Sequence, residues 1–221
     1  MHYEHICPGR FLTRLNRFVA IAEICGERHS VHVKNTGRCR ELLVPGAEIW
    51  LAPSDNPARK TSYDLICVRK DSGILFNIDS QAPNRVVREW LEPQGFEHIQ
   101  PEYRFGQSRI DFYLERKRER HLLEVKGCTL ERDGIGYFPD APTERGTKHL
   151  RELTAAVSQG YSASVAFVLQ ADELKTVLPN KETDPVFAAA LEEAVQAGVS
   201  VLFLPCHVEP NRLEIVASLR L

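Results

Sequence analysis

Hydrophobic and polar positions alternate in short runs through the first third of the chain, then shift to helix-period stripes and unbroken apolar runs. β-like segments fall at residues 18–25, 30–34, 47–51, 65–69 and 74–78. Between them stand turn formers: Gly26, Pro45-Gly46, Ser54-Asp55-Asn56-Pro57 and Asp71-Ser72-Gly73. Five short strands at that spacing predict a small barrel, for which the OB fold is the common five-stranded form. From Asn84 the period changes. Val86, Val87, Trp90 and Leu91 recur at helical spacing and stop at Pro93 and Gly95. A strand over 99–105 follows, then a hairpin from 108–114 and 121–125, whose apolar residues are expected to share one buried face. Its tip, 115–120, is charged throughout.

Beyond the hairpin, residues 137–142 read as an aromatic loop leading to a helix with Thr143 as N-cap and Leu150, Leu153 and Val157 as its buried stripe. Residues 164–169 and 199–204 read as buried strands, and 213–216 as a last one. The helix between the first two opens at Asp184-Pro185 and closes at Gly198. That order predicts an α/β domain with a mixed central sheet. The expected organisation is therefore a five-stranded OB-like β-barrel in residues 1–80 and an α/β domain in residues 81–221.

Composition narrows the function classes only a little. The chain has 221 residues, 43% hydrophobic and 26% charged, with a formal charge of −2, which is no advertisement for nucleic acid. The imbalance is uneven: residues 1–80 hold eleven Lys and Arg against nine Asp and Glu, and the remainder seventeen against twenty-one. A mildly basic first part suits a phosphate backbone, and an acidic second part suits a metal. The six cysteines are scattered without a C-x-x-C pair, which reads as reduced thiols in a cytoplasm. Neither the polar N-terminal residues nor the longest apolar run, 199–204, predicts a signal peptide or a membrane span.

The candidate chemistry lies on the hairpin. Asp111 interrupts the run Ile110, Phe112, Leu114, and Glu124 and Lys126 flank Val125 after two leucines. Residues two apart on a strand point to one face, so Glu124 and Lys126 emerge side by side. A pairing that brings Asp111 level with Glu124 joins two carboxylates and an ammonium. Hard carboxylate oxygens can hold Mg²⁺, or Mn²⁺ in its place, while the ammonium orients water or steadies a phosphate. That is the composition of a phosphodiester-hydrolysing site, to which Glu102 and the Val125 carbonyl are further candidate ligands. The same residues also fit a surface salt-bridge ladder worth a few tenths of a kcal/mol.

Two other clusters carry the same ambiguity. Asn35 and Gly37, with Arg38 and Arg40 close behind, form a turn that can present N–H groups and cations to phosphate, or a plain turn with solvated arginines. Arg14, Arg17, Arg59 and Lys60 are candidates for the same basic face. In the helix after Thr143, Arg145, His149 and Glu152 share a face. Arg145 and His149 are suited to phosphate oxygens if that face meets the metal site, with Tyr137 and Asp140 at the mouth of the cleft.

Ser-Arg-Ile-Asp-Phe at 108–112, Glu-Val-Lys-Gly-Cys-Thr-Leu at 124–130, Gly-Tyr-Phe-Pro-Asp-Ala-Pro-Thr-Glu-Arg-Gly at 136–146 and Lys-His-Leu-Arg-Glu-Leu at 148–153 form a specific string. Over nearly its full length the chain resembles the sugar fermentation stimulation protein A family of bacteria and archaea. The resemblance implies an N-terminal OB-like barrel, a C-terminal restriction-endonuclease-like domain and DNA binding without marked sequence preference. It casts Asp111, Glu124 and Lys126 as a nuclease-type PD-(D/E)xK triad. Lys34 stands where that family usually has proline before Asn-Thr-Gly. The expectation is a DNA-binding, Mg²⁺-dependent phosphodiesterase. The alternatives are a non-catalytic DNA-binding regulator of sugar metabolism on a nuclease scaffold, and an RNA or small-nucleotide phosphoesterase. With one motif per chain, cutting a duplex calls for a homodimer or two binding events.

Overall fold

The computed structural model describes residues 1–35, 37–54, 56 and 58–216; Thr36, Asp55 and Pro57 of the expected turns lie outside the described residues. The barrel is built from β1 (Cys7–Arg14), β2 (Val19–Ile24), β3 (Glu27–Val33), β4 (Glu48–Pro53) and β5 (Tyr63–Arg69). They pair in the order β3-β2-β1-β4-β5, and a parallel pairing of β3 with β5, Val31 opposite Tyr63, closes the ring. Alternation fills the inside: Ala20, Ala22, Val31, Val33, Ile49 and Leu51 are buried. One strand differs from expectation. Pro8 and Gly9 hide β1 from the hydrophobic pattern, although a bare glycine is what lets it approach β2. A Cβ at Gly9 would sit 2.8 Å from the Glu23 carbonyl oxygen. The expected strand at 74–78 is the short β6 (Leu75–Asn77), which lies outside the ring against β5.

The second part contains α1 (Ala82–Leu91), β7 (His98–Phe105), β8 (Ser108–Arg116), β9 (Glu119–Cys128), β10 (Leu130–Arg132) and β11 (Ile135–Phe138). Then come α2 (Glu144–Ser158), β12 (Ser162–Leu169), β13 (Val177–Pro179), α3 (Pro185–Gln196), β14 (Ser200–Glu209) and β15 (Arg212–Ile215). Its main sheet runs β15-β14-β12-β9-β8-β7, with β9, β12 and β14 mutually parallel and the flanking pairs antiparallel. Helices cover both faces, so β9 is buried on both sides, contrary to the single buried face expected of the hairpin. Leu123 and Val125 pack with Val86, Val87 and Leu91 of α1, whereas Leu122 packs with Leu150 and Leu153 of α2. The hairpin tip narrows to Lys117 and Arg118, both at positive φ (47° and 74°), the two-residue turn whose twist matches the strands. Residues 130–138 and 177–179, partly expected as an aromatic loop, form a separate sheet ordered β10-β11-β13.

Barrel and sheet are joined by a polar seam. The Asn77 N–H donates to the Gln170 carbonyl at 2.9 Å, and Gln170 Nε2 donates to the carbonyls of Asn77 and Asp79 at 3.0 and 3.2 Å. Lys34 Nζ lies 2.9 Å from the fully buried Asp79 carboxylate. The opening residues sit with the second sheet: the Tyr3 N–H donates to the Asn211 carbonyl, and the Leu213 N–H to the Met1 carbonyl. All six cysteines are unpaired, and no described helix is long and apolar enough to cross a membrane.

Candidate active site

The hairpin register sets Phe112 opposite Leu123 and Tyr113 opposite Leu122. Extended by one step it brings Asp111 level with Glu124, but the ladder stops before that pair and the strands part. Into the gap turns the Asp111 carboxylate. The Val125 N–H donates to its Oδ2 at 2.8 Å, and the Asn84 amide of α1 donates to its Oδ1 at 2.7 Å. The N–H and C=O of a strand residue leave on one edge, so the Val125 carbonyl faces the same gap. On the outer side, β7 pairs through Pro101–Phe112 and resumes at Tyr103–Ile110, with Glu102 between them at φ 50°.

Glu124 is 1% exposed. Its Oε1 receives both the Lys126 ammonium and His149 Nδ1 of α2, while its buried Oε2 has no hydrogen-bond partner among the described residues. Burial works to raise the Glu124 carboxyl, yet Lys126 and His149 outweigh it and hold the group below the ordinary carboxylate range. Asp111 is pushed the other way. Burial, then the charge of Glu124, raise it despite Lys126, the Val125 N–H and Asn84. Two carboxylates in one cleft are thus driven apart in acidity.

The donor set fits a hard divalent cation coordinated by few protein ligands. An orphaned, buried and ionised carboxylate oxygen has lone pairs to offer, and Mg²⁺ is commonly held by one or two carboxylates with water and phosphate completing its octahedron. Among the described residues there is no group of three or more His, Cys, Asp and Glu placed to hold a metal, so the set is two carboxylates and a carbonyl.

Asn84, Asp111, Glu124, Lys126 and Arg145 line a cavity of about 400 Å³. It shares Ser80 with a cavity of about 340 Å³ between the barrel and the small sheet. That cavity shares Arg17 and Gly37 with a third, of about 590 Å³, flanked by Arg14, Arg38 and Arg40. A continuous cleft therefore runs from the carboxylates to the barrel's arginines. The side chains of Arg17, Arg38, Arg40 and Arg145 are exposed and have no hydrogen-bonding or ion-pair partner among the described residues.

Several candidates take positions their spacing did not indicate. His149 is 4% exposed and stands behind Glu124, away from any phosphate. Glu152, on the same helix, accepts from the Gln107 N–H at 3.2 Å and is not among the residues lining the cleft. Glu102 is outside the site, exposed and paired with Arg109 at 2.6 Å, because its left-handed backbone turns it off the sheet. Arg14 is a scaffold: its guanidinium donates to the carbonyls of Asn35, Gly37 and Arg38 at 2.9, 3.1 and 2.6 Å. Asn35 is buried, its Oδ1 accepting from the Gly37 N–H at 2.7 Å. Asp140 reaches across the cleft to accept from the Arg38 N–H at 2.9 Å, and Tyr137 lines the middle cavity. Arg59 is engaged by Asp64 at 2.7 Å, and Lys60 is exposed. Asn84 escapes a reading of the sequence, since a polar residue in the first turn of an amphipathic helix carries no signal of its own.

A family model described as the SfsA N-terminal OB domain matches residues 12–78, and one described as the sugar fermentation stimulation protein RE domain matches residues 81–212. The chain belongs to the sugar fermentation stimulation protein family. A sugar fermentation stimulation protein homologue from Desulfitobacterium hafniense is 50% identical over 217 residues, covering 97% of this chain and 95% of the relative. One from Ruminiclostridium cellulolyticum is 46% identical over 219 residues, covering 97% and 96%. The solved structure of Pyrococcus furiosus SfsA in complex with Ca²⁺ matches with a TM-score of 0.88 at 29% identity, covering 100% of this chain and 97% of that one. Like that family, this chain combines an OB barrel with a restriction-endonuclease-like domain.

Proposed function

We propose that the cleft hydrolyses phosphodiester bonds of DNA with Mg²⁺, or Mn²⁺ in its place, and binds the backbone without marked sequence preference. The observation that carries this reading is one juxtaposition. Two carboxylates and an ammonium sit at one end of a cleft whose course is marked by exposed arginines with no acidic partner among the described residues. In a chain of net charge −2, cations left unpaired beside a cleft favour a polyanionic occupant. A pure DNA binder has no use for two buried acids facing phosphate. The Ca²⁺ complex of the Pyrococcus furiosus relative also supports an oxygen-seeking cation on this scaffold.

Asp111, Glu124 and the Val125 carbonyl would hold the cation, whose chemistry is to polarise the phosphate and acidify a bound water. Lys126 offsets charge developing on the phosphorane-like transition state and orients the nucleophile; its ammonium is bonded to Glu124 and is not assigned as a free base. Arg145 faces the phosphate from α2. His149 acts through Glu124, fixing the carboxylate's orientation, and is a positioning residue. Asn84 does the same for Asp111.

The test is cleavage of single-stranded, nicked and duplex DNA by wild type and Lys126→Ala, with binding measured in parallel. Cleavage lost in the variant while binding persists supports the reading. Salt-sensitive binding with no metal-dependent cleavage by the wild type makes the protein a nuclease-shaped binder.

A further inference from the structure

We infer that the cavity between the barrel and the small sheet receives one unstacked nucleobase, so that the site acts on single-stranded or locally melted strands rather than on intact duplex. This rests on the phosphodiesterase reading of the neighbouring carboxylates. The cavity adjoins them directly: it shares Ser80 with their cavity, and Gly127 in its wall follows Lys126. A strand with a phosphate at Lys126 thus has its adjacent nucleotide at this opening.

Size and wall chemistry agree with that occupant. At about 340 Å³ the space lies at the lower end of small-ligand pockets, roughly 300–1,000 Å³, and cannot admit stacked base pairs. Its wall combines the partly buried aromatic ring of Tyr137 and the buried aliphatic ring of Pro83 with polar Asn35 and Thr129, and Arg17 at the rim. A planar face for stacking beside edge donors and acceptors is what a base requires, and stacking is available to every base. The Arg132 guanidinium lies 5.2 Å from the Tyr137 ring centroid, on one of its faces.

The space is also held open before anything binds. The Asp140 carboxylate accepts from the Arg38 N–H at 2.9 Å, tying the loop beyond Phe138 to the barrel turn. Arg14 grips that turn through three carbonyls. A tied roof does not part for a rigid duplex, whereas a flexible strand can thread one nucleotide beneath it.

The test compares three labelled DNAs of equal length on the full-length protein in EDTA, where no cleavage occurs: an intact single strand, a fully abasic strand with the same phosphates, and a duplex. Wild type should bind the intact strand about ten-fold more tightly than the abasic one, the lower range of a single stacked base, and more tightly than the duplex. Ala141 also lines this cavity, and Ala141→Trp, which fills it, should bring intact and abasic strands to equal affinity. Tyr137→Ala, which only removes the ring, should narrow the gap should the larger change prevent folding. Equal affinity of wild type for intact and abasic strands, with salt-sensitive binding retained, overturns the base pocket and leaves the backbone cleft standing. So does a gap that survives both variants. Absence of binding to all three DNAs overturns the nucleic-acid reading itself, and the pocket with it.

Discussion

Asp111→Asn and Glu124→Gln each erase one carboxylate from the same cleft, and the geometry predicts that they shift stability in opposite directions. Among the described residues Glu124 is the only acid bonded to the Lys126 ammonium and to His149, in a site where the Lys126 side chain is 12% exposed. Removing one partner of a buried ion pair costs about 3–5 kcal/mol. The lower figure applies because glutamine still accepts a hydrogen bond and Lys126 retains some contact with water. For a chain of this size about 3 kcal/mol corresponds to a fall in Tm of roughly 6–12 °C. Asp111 has the reverse linkage. Its folded-state pKa is raised, so the folded protein binds that proton more tightly than the unfolded chain, and the favourable contribution at low pH is lost as pH rises through the folded value. At neutral pH the ionised carboxylate therefore costs stability. An asparagine there keeps its oxygen on the Val125 N–H, and a flip of the Asn84 amide meets its NH₂. Its Tm should equal or exceed that of wild type. Scanning calorimetry in EDTA measures both. A Glu124→Gln variant within about 2 °C of wild type, or an Asp111→Asn variant as damaged as Glu124→Gln, would refute the assignment of the two acids.

Three more outcomes are expected. Divalent-metal affinity should weaken on acidification at a pH above the ordinary Asp value of about 3.9, because Asp111 protonates early while Glu124 stays ionised; a titration series in pH measures it, and loss only below about pH 3.9 contradicts it. Replacing Arg17, Arg38 and Arg40 together by alanine should reduce the salt slope of DNA binding by about two to three, one per lost phosphate contact; an unchanged slope removes the barrel from the interface. Gly37→Ala should cost about 1–2 kcal/mol, since its Cβ would fall 2.2 Å from Asp140 Oδ2 and break the bond to the Arg38 N–H. Added to Asp140→Ala it should cost much less, and urea melts that show simple additivity would count against the clash.

The candidate triad was legible because strand geometry is local. Alternation placed Glu124 and Lys126 on one face, and the charged tip set a register that holds as far as Phe112–Leu123. The α/β order with its mixed sheet was legible for the same reason, since helix-period stripes alternate with unbroken apolar runs along the chain. What escaped was set by distant partners. β1 carries Pro8 and Gly9, and only its fit against β2 and β4 makes it a strand. The spacing of Arg145 and His149 gave them one helix face, yet Glu124, twenty-five residues away in sequence, draws His149 into the interior. Asn84 and the middle cavity depend on how α1 and the barrel sit against the sheet, a relation no local pattern encodes.

A two-carboxylate metal site that cuts a phosphodiester should show itself when Mg²⁺ and Mn²⁺ are titrated into the purified protein by calorimetry, wild type against Asp111→Asn, with each condition run in parallel on DNA. The wild type should bind metal and cleave, and the variant should lose both while still binding DNA. Metal binding that survives in Asp111→Asn, or wild type that binds no metal while gripping DNA, would contradict it.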